Sequence, residues 1–187
     1  MKNRYIKELI FFFLALSYGY MVGKYILPAH SAATYKVWPK EKVIWTYKVG
    51  SDFGERQPSI RETVELYNSI KDCKILLTYT NANNPDIYID LWDDKDARVP
   101  EITNCSYKDG FTKRCQINLY SSVLNKSAEG KNRENYYTNA VLNGLGHVYW
   151  GPPHTNGGLM SPRLSTDKVY WRGEKTFKKV LRKLYAD

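Results

Sequence analysis

Apolar and polar positions follow two rhythms along most of this chain. Val43-Ile44-Trp45-Thr46-Tyr47-Lys48-Val49 is rich in β-branched and aromatic residues and reads as a strand. After a Gly/Asp/Pro turn region, Ser59-Ile60-Arg61-Glu62 has the order of a capping box, serine followed three residues later by glutamate. Ile60, Val64, Tyr67 and Ile70 then fall at helical spacing, which predicts a helix ending near Asp72. Strands are predicted over Ile75 to Thr80 and Asp86 to Trp92, parted by Asn81-Ala82-Asn83-Asn84-Pro85. A charged loop, Asp93 to Glu101, leads to a segment with two cysteines and a strand around Gln116 to Tyr120. Tyr136 to about Tyr149 reads as a second, largely apolar helix. Gly173 to Tyr185 reads as a third, with Phe177, Val180, Leu181, Leu184 and Tyr185 in one stripe. The order β-α-β-β-β-α predicts an α+β fold, a mixed sheet with helices packed on it.

One run belongs to neither rhythm. Leu9 to Gly23 carries no charge and follows Lys2, Arg4 and Lys7. A basic flank before an apolar stretch leaves the amino terminus in the cytoplasm and sends the rest outside. The run suits the core of a signal peptide. Continued through Lys24 to Leu27 it reaches about 19 residues, enough to cross a bilayer. Residues 1–33 are therefore expected to be a signal peptide or a single-pass anchor, an N-terminal hydrophobic helix in either case. The body is expected to be secreted or held at the membrane.

Charge sharpens that division. Of a formal net charge of +9 over 187 residues, residues 1–24 hold +3 and residues 168–187 hold +5, leaving +1 for the stretch between. A nucleic-acid binder needs a basic face over its body, so nucleic acid is not an expected partner. The basic carboxy-terminal stripe is expected to dock on the core with its lysines solvated. The other reading is a lipid contact beside the amino-terminal segment. An oxidising compartment permits a Cys105–Cys115 disulfide closing the loop Ser106 to Arg114 between two extended pieces, and Cys73 is expected to be a buried thiol.

The stretch that raises a chemical question runs from Asn139 to Pro162. Within it stand Asn143-Gly144-Leu145-Gly146-His147, then Gly151-Pro152-Pro153-His154 and Leu159-Met160-Ser161-Pro162. It resembles the zinc-binding region of the matrixins, within the metzincin metallopeptidases. In that pattern, H-E-x-x-H-x-x-G-x-x-H, two histidines one helical turn apart share a face, a glycine ends the helix, and a third histidine comes round to the same metal. His147 falls at the second histidine. Gly151 and His154 fall at the helix-ending glycine and third histidine, each one residue late. Met160 falls in the methionine turn. Trp38-Pro39, the helix after the first strand, and Asn84-Pro85-Asp86-Ile87-Tyr88-Ile89 also look like matrixin landmarks. The resemblance covers residues 36–187 and implies a matrixin-like twisted mixed sheet with packed helices.

The pattern is broken where the chemistry sits. Asn143 occupies the first histidine position and Gly144 the glutamate position. The metal set that the resemblance implies is thus Asn143, His147 and His154, and a neutral amide is a poor zinc ligand beside imidazole. Gly144 offers no proton acceptor, and loss of a general base alone costs about 10²–10⁴ in rate. Glu134 or another acid would have to reach in, and nothing in the spacing points to one. Asp93, Asp94 and Asp96 form an oxygen-rich loop of the kind that holds calcium or stays solvated. The chain is therefore expected to be an exported or membrane-anchored matrixin-like domain, catalytically inactive, that binds a protein or peptide. The alternatives are an active zinc endopeptidase with atypical ligands and a structural surface or envelope component.

Overall fold

In the computed structural model, residues 38–39, 43–69, 75–150, 160 and 163–169 are described. The chain divides between Tyr35 and Lys36, and all described residues belong to the second part. The expected signal peptide or anchor, Cys73, His30, His154 and the carboxy-terminal helix lie outside the described residues. Among those residues no helix is long and apolar enough to cross a membrane.

The sheet has five strands: β1 (Ile44–Val49), β2 (Leu76–Tyr79), β3 (Ile87–Trp92), β4 (Glu101–Lys108) and β5 (Phe111–Tyr120). Their spatial order is β2-β1-β3-β5-β4. β1 runs parallel to β2 and β3, β3 runs parallel to β5, and β4 is antiparallel to β5. The mixed sheet of the expected α+β fold is present, with one more strand than the sequence pattern shows. The helices are α1 (Gln57–Glu65), α2 (Ser121–Ser127) and α3 (Gly130–Trp150), with 3-10 turns at Ser51–Arg56 and Leu66–Ser69.

Alternation decides which face of the sheet is covered. Trp45, Tyr47 and Val49 of β1, Ile87 and Ile89 of β3, and Cys115, Ile117 and Leu119 of β5 share one buried core with Ile60 and Val64 of α1 and Val141, Leu145 and Val148 of α3. Aromatic rings bind these layers together. Trp38 lies 4.5 Å from Trp45, Trp45 lies 4.8 Å from Tyr149, and Tyr149 stacks on Tyr67 at 4.9 Å. Trp38 Nε1 donates to the Val148 carbonyl and Tyr67 Oη to that of Leu142, so the carboxy-terminal half of α3 is pinned from two sides. Asp86 locks the start of β3 to β1: its Oδ2 accepts from Thr46 N at 2.8 Å, while its own N–H donates to Thr46 Oγ1.

One local expectation is corrected, and the expected end of the first helix near Asp72 lies outside the described residues. Ser59 does not cap the first helix, because the chain is already helical from Gln57, with Pro58 in the first turn. Ser59 Oγ instead donates back to the Arg56 carbonyl. That α-helix stops at Glu65 and tightens into the 3-10 turn, where the Asn68 side chain acts as a neighbour to β2. Asn68 Nδ2 donates to the Leu77 carbonyl and Leu77 N donates to Asn68 Oδ1, at 2.9 and 2.8 Å. Asn68→Ala is expected to lower stability by about 1 kcal/mol in a urea titration, because both groups of Leu77 lose their partner.

Candidate functional site

β4 is the strand that the sequence pattern does not reveal. It pairs with β5 in a hairpin whose turn, Asp109-Gly110, has positive φ at both residues, 51° and 83°. Cys105 and Cys115 face each other directly across the pair, Cα to Cα 4.1 Å, and are joined by a disulfide. The expected disulfide is thus present, and the two extended pieces it joins are paired strands.

β4 is an edge strand. Tyr120 N donates to the Pro100 carbonyl, and the alternation of an antiparallel ladder then leaves the main-chain groups of Glu101, Thr103 and Cys105 on the open side. The side chains of the same three residues are partly buried, while those of their neighbours are exposed. Along this edge runs a groove of about 350 Å³, lined by Val99, Glu101, Thr103, Cys105, Tyr107 and His147.

His147 comes to the groove from α3. Asn139, Asn143 and His147 stand four residues apart and share one stripe of that helix. Asn139 Nδ2 donates to the carbonyls of Ser165 and Lys168, both at 2.8 Å, and so ties the segment after the methionine turn to the helix. Asn143 is 2% exposed, and Met160 is buried in the core. Sequence reasoning overlooked Asn139, whose i, i+4 relation to Asn143 was the signal available.

A carboxylate nonetheless stands beside Gly144. A Cβ on Gly144 would stand 2.5 Å from Ile117 Cγ2, and 3.1 Å from both Glu101 Oε1 and Thr103 Oγ1. Glu101 thus comes from the sheet to lie beside residue 144. Thr103 Oγ1 donates to Glu101 Oε1 and lies 3.4 Å from the Gly144 carbonyl. Among the described residues no cation pairs with Glu101. Burial raises its carboxyl from 4.5 to about 7, the Thr103 hydrogen bond opposing the shift. Glu134 plays no part here: its carboxylate pairs with Arg56 at 3.2 Å on the surface. Gly144 and Gly146 do not interrupt α3, and the missing Cβ at 144 lets β4 and β5 approach the helix closely.

Among the described residues no zinc site is formed, and His154 lies outside them. The described candidates are one imidazole, His147, and one buried neutral amide, Asn143, whereas a catalytic zinc takes three protein ligands. Among the described residues no three His, Cys, Asp or Glu side chains converge. The aspartates expected to hold calcium or stay solvated serve their own loop. Asp93 Oδ1 accepts from Ser121 Oγ, the Asp94 carbonyl from Ser122 Oγ, and Asp94 Oδ1 from Asp96 N.

A larger hollow of about 540 Å³ lies on the other face of the sheet, where Lys48, Tyr88, Gln116 and Asn104 align across four strands. It shares none of the helix residues above.

No family model matches this chain, and no curated protein matches it. Among solved structures it is similar to high choriolytic enzyme 1, a hatching enzyme zinc-protease from the medaka fish Oryzias latipes, at 14% identity and a TM-score of 0.36. The match covers 68% of this chain and 54% of that one, so the chain spans about half the length of that protein.

Proposed function

We propose that this chain is an exported or membrane-anchored protein on a metzincin-like scaffold that binds an extended peptide segment along β4 without cleaving it. The observation that carries the reading is the open edge of β4. Among the described residues, Glu101, Thr103 and Cys105 have main-chain groups with no strand partner to offer a ligand strand, while a groove with His147 on its wall receives the ligand's side chains. Export is supported by the basic and apolar order of residues 1–33 and by the Cys105–Cys115 disulfide, which persists in an oxidising compartment.

Selection of random twelve-residue peptides on the full-length protein tests this. Enriched peptides are expected, and N-methylation of alternate amides in them should weaken binding about tenfold per site, the loss of one edge hydrogen bond. Methylation of the intervening amides should be tolerated. Absence of enrichment, or indifference to the methylation pattern, overturns edge pairing.

Peptide hydrolysis is a second reading, favoured by Glu101 beside Gly144. Casein cleavage in the presence of zinc, abolished by both His147→Ala and Glu101→Gln, would put that reading in place of the first.

A further inference from the structure

We propose that Glu101 forms an acidic subsite that accepts the ammonium or guanidinium group of one lysine or arginine in the peptide lying along β4; the inference rests on the peptide-binding reading above.

The argument is one of uncompensated charge. Glu101 stands at an inward-facing position of an edge strand, where neighbours of the same parity are a threonine and a disulfide cysteine. Val99, Ile102 and Tyr107 make the rest of the groove margin largely apolar. Its described hydrogen bond is from the Thr103 hydroxyl, a neutral donor. A carboxylate drawn out of water needs a cation or a set of strong donors to offset its lost hydration. Among the described residues no cation does so, and burial accordingly lifts the carboxyl to about 7. No buried side-chain oxygen or nitrogen among the described residues lacks a partner, so the second carboxyl oxygen is not sealed in, and Glu101 lines the groove.

Core packing alone is a poor account of this arrangement. A glutamine or leucine would fill the same space without burying a charge. The absence of a side chain at Gly144 makes the room the carboxyl occupies, so helix and strand together form the subsite. A basic side chain entering from the ligand strand brings the missing charge, and it can form a charge-assisted hydrogen bond in a partly dry site, where such bonds are strong. An acidic ligand side chain would meet a like charge and be rejected.

Two measurements on the full-length protein test the proposal. In the first, n-butylammonium and n-butylguanidinium chlorides are titrated at pH 8 while the Thr103 methyl and His147 ring protons are followed by NMR, with n-butanol as the neutral control. Saturable shifts are expected for the two cations, at least tenfold weaker in Glu101→Gln and unchanged in Glu134→Gln. Equal responses in the wild type and Glu101→Gln, or an equal response to n-butanol, overturn the subsite. In the second, the peptide selection is repeated on Glu101→Gln. The wild type should enrich Lys or Arg at one fixed position, and the variant should not. Enriched peptides with no basic position, or a basic preference that survives in Glu101→Gln, overturn this inference alone. No enriched peptides at all overturn the reading on which it rests.

Discussion

Placing a glutamate at residue 144 is expected to damage the protein, by about 4 kcal/mol, rather than equip it for catalysis. The Cβ alone would stand 2.5 Å from Ile117 Cγ2, a branched side chain held in the core with no free end to swing away. Overpacking of that kind costs about 1–3 kcal/mol, partly offset by the roughly 1 kcal/mol gained when a helical glycine gains a side chain. The carboxyl adds the larger part, because it must share a partly dry space with Glu101, and two carboxylates in contact cannot both stay ionised without a further penalty of a few kcal/mol. Urea unfolding of Gly144→Glu at pH 8 measures the loss. Glu101→Ala in the same chain should recover the larger part of it, since the charge conflict goes and the Ile117 contact stays. A coupling energy of about 1 kcal/mol or more between the two sites is therefore expected. Strictly additive effects, or a harmless Gly144→Glu, would show that Glu101 does not occupy the space beside residue 144.

The second large effect concerns pH. Glu101 titrates near 4.5 when solvated and near 7 in the fold. Below about pH 4.5 the group is neutral in both states and contributes no difference. As the pH rises from 4.5 to 7, the unfolded chain releases its proton first, so the folded state binds more protons and stability falls. Above 7 both states are ionised and the penalty is complete. The shift corresponds to about 3 kcal/mol, which partial solvent contact reduces to about 2. Glu101→Gln removes the titration and keeps the shape. It is expected to raise stability by about 2 kcal/mol at pH 8 and to change it little at pH 4. Stability curves of the two proteins measured from pH 4 to 8 should diverge upward through that window. Parallel curves would mean that the carboxyl is solvated in the fold.

These expectations bear on why the chain keeps an acid whose removal would stabilise it. Sites that carry function commonly hold groups the fold would be better without. On the proposal above Glu101 is such a group: it takes an inward position on β4, faces a glycine on α3 and accepts one hydroxyl hydrogen bond.

The sequence by itself determined the layers. Residues 44–49, 75–80 and 86–92 alternate or cluster as strands because one face must be apolar, and the helix from Tyr136 to about Tyr149 follows from its largely apolar content. It also pointed to the Cys105–Cys115 pairing and to His147 and Met160 as residues of one region. β4 escaped notice because an edge strand beside a solvent groove has no clean alternation: Glu101, Thr103 and Asn104 read as loop. The Asp109-Gly110 pair, the strongest local sign of a hairpin, was hidden inside what looked like a disulfide loop. The starting point of α1 was misjudged because a capping box is a local signal, and the preceding 3-10 turn overrode it. Above all, only the tertiary structure could place Glu101 beside Gly144. The two are 43 positions apart in the numbering, on different elements, and no periodicity links them. Sequence shows that a carboxylate is missing from the helix. Sheet register and helix packing decide that Glu101 stands beside residue 144.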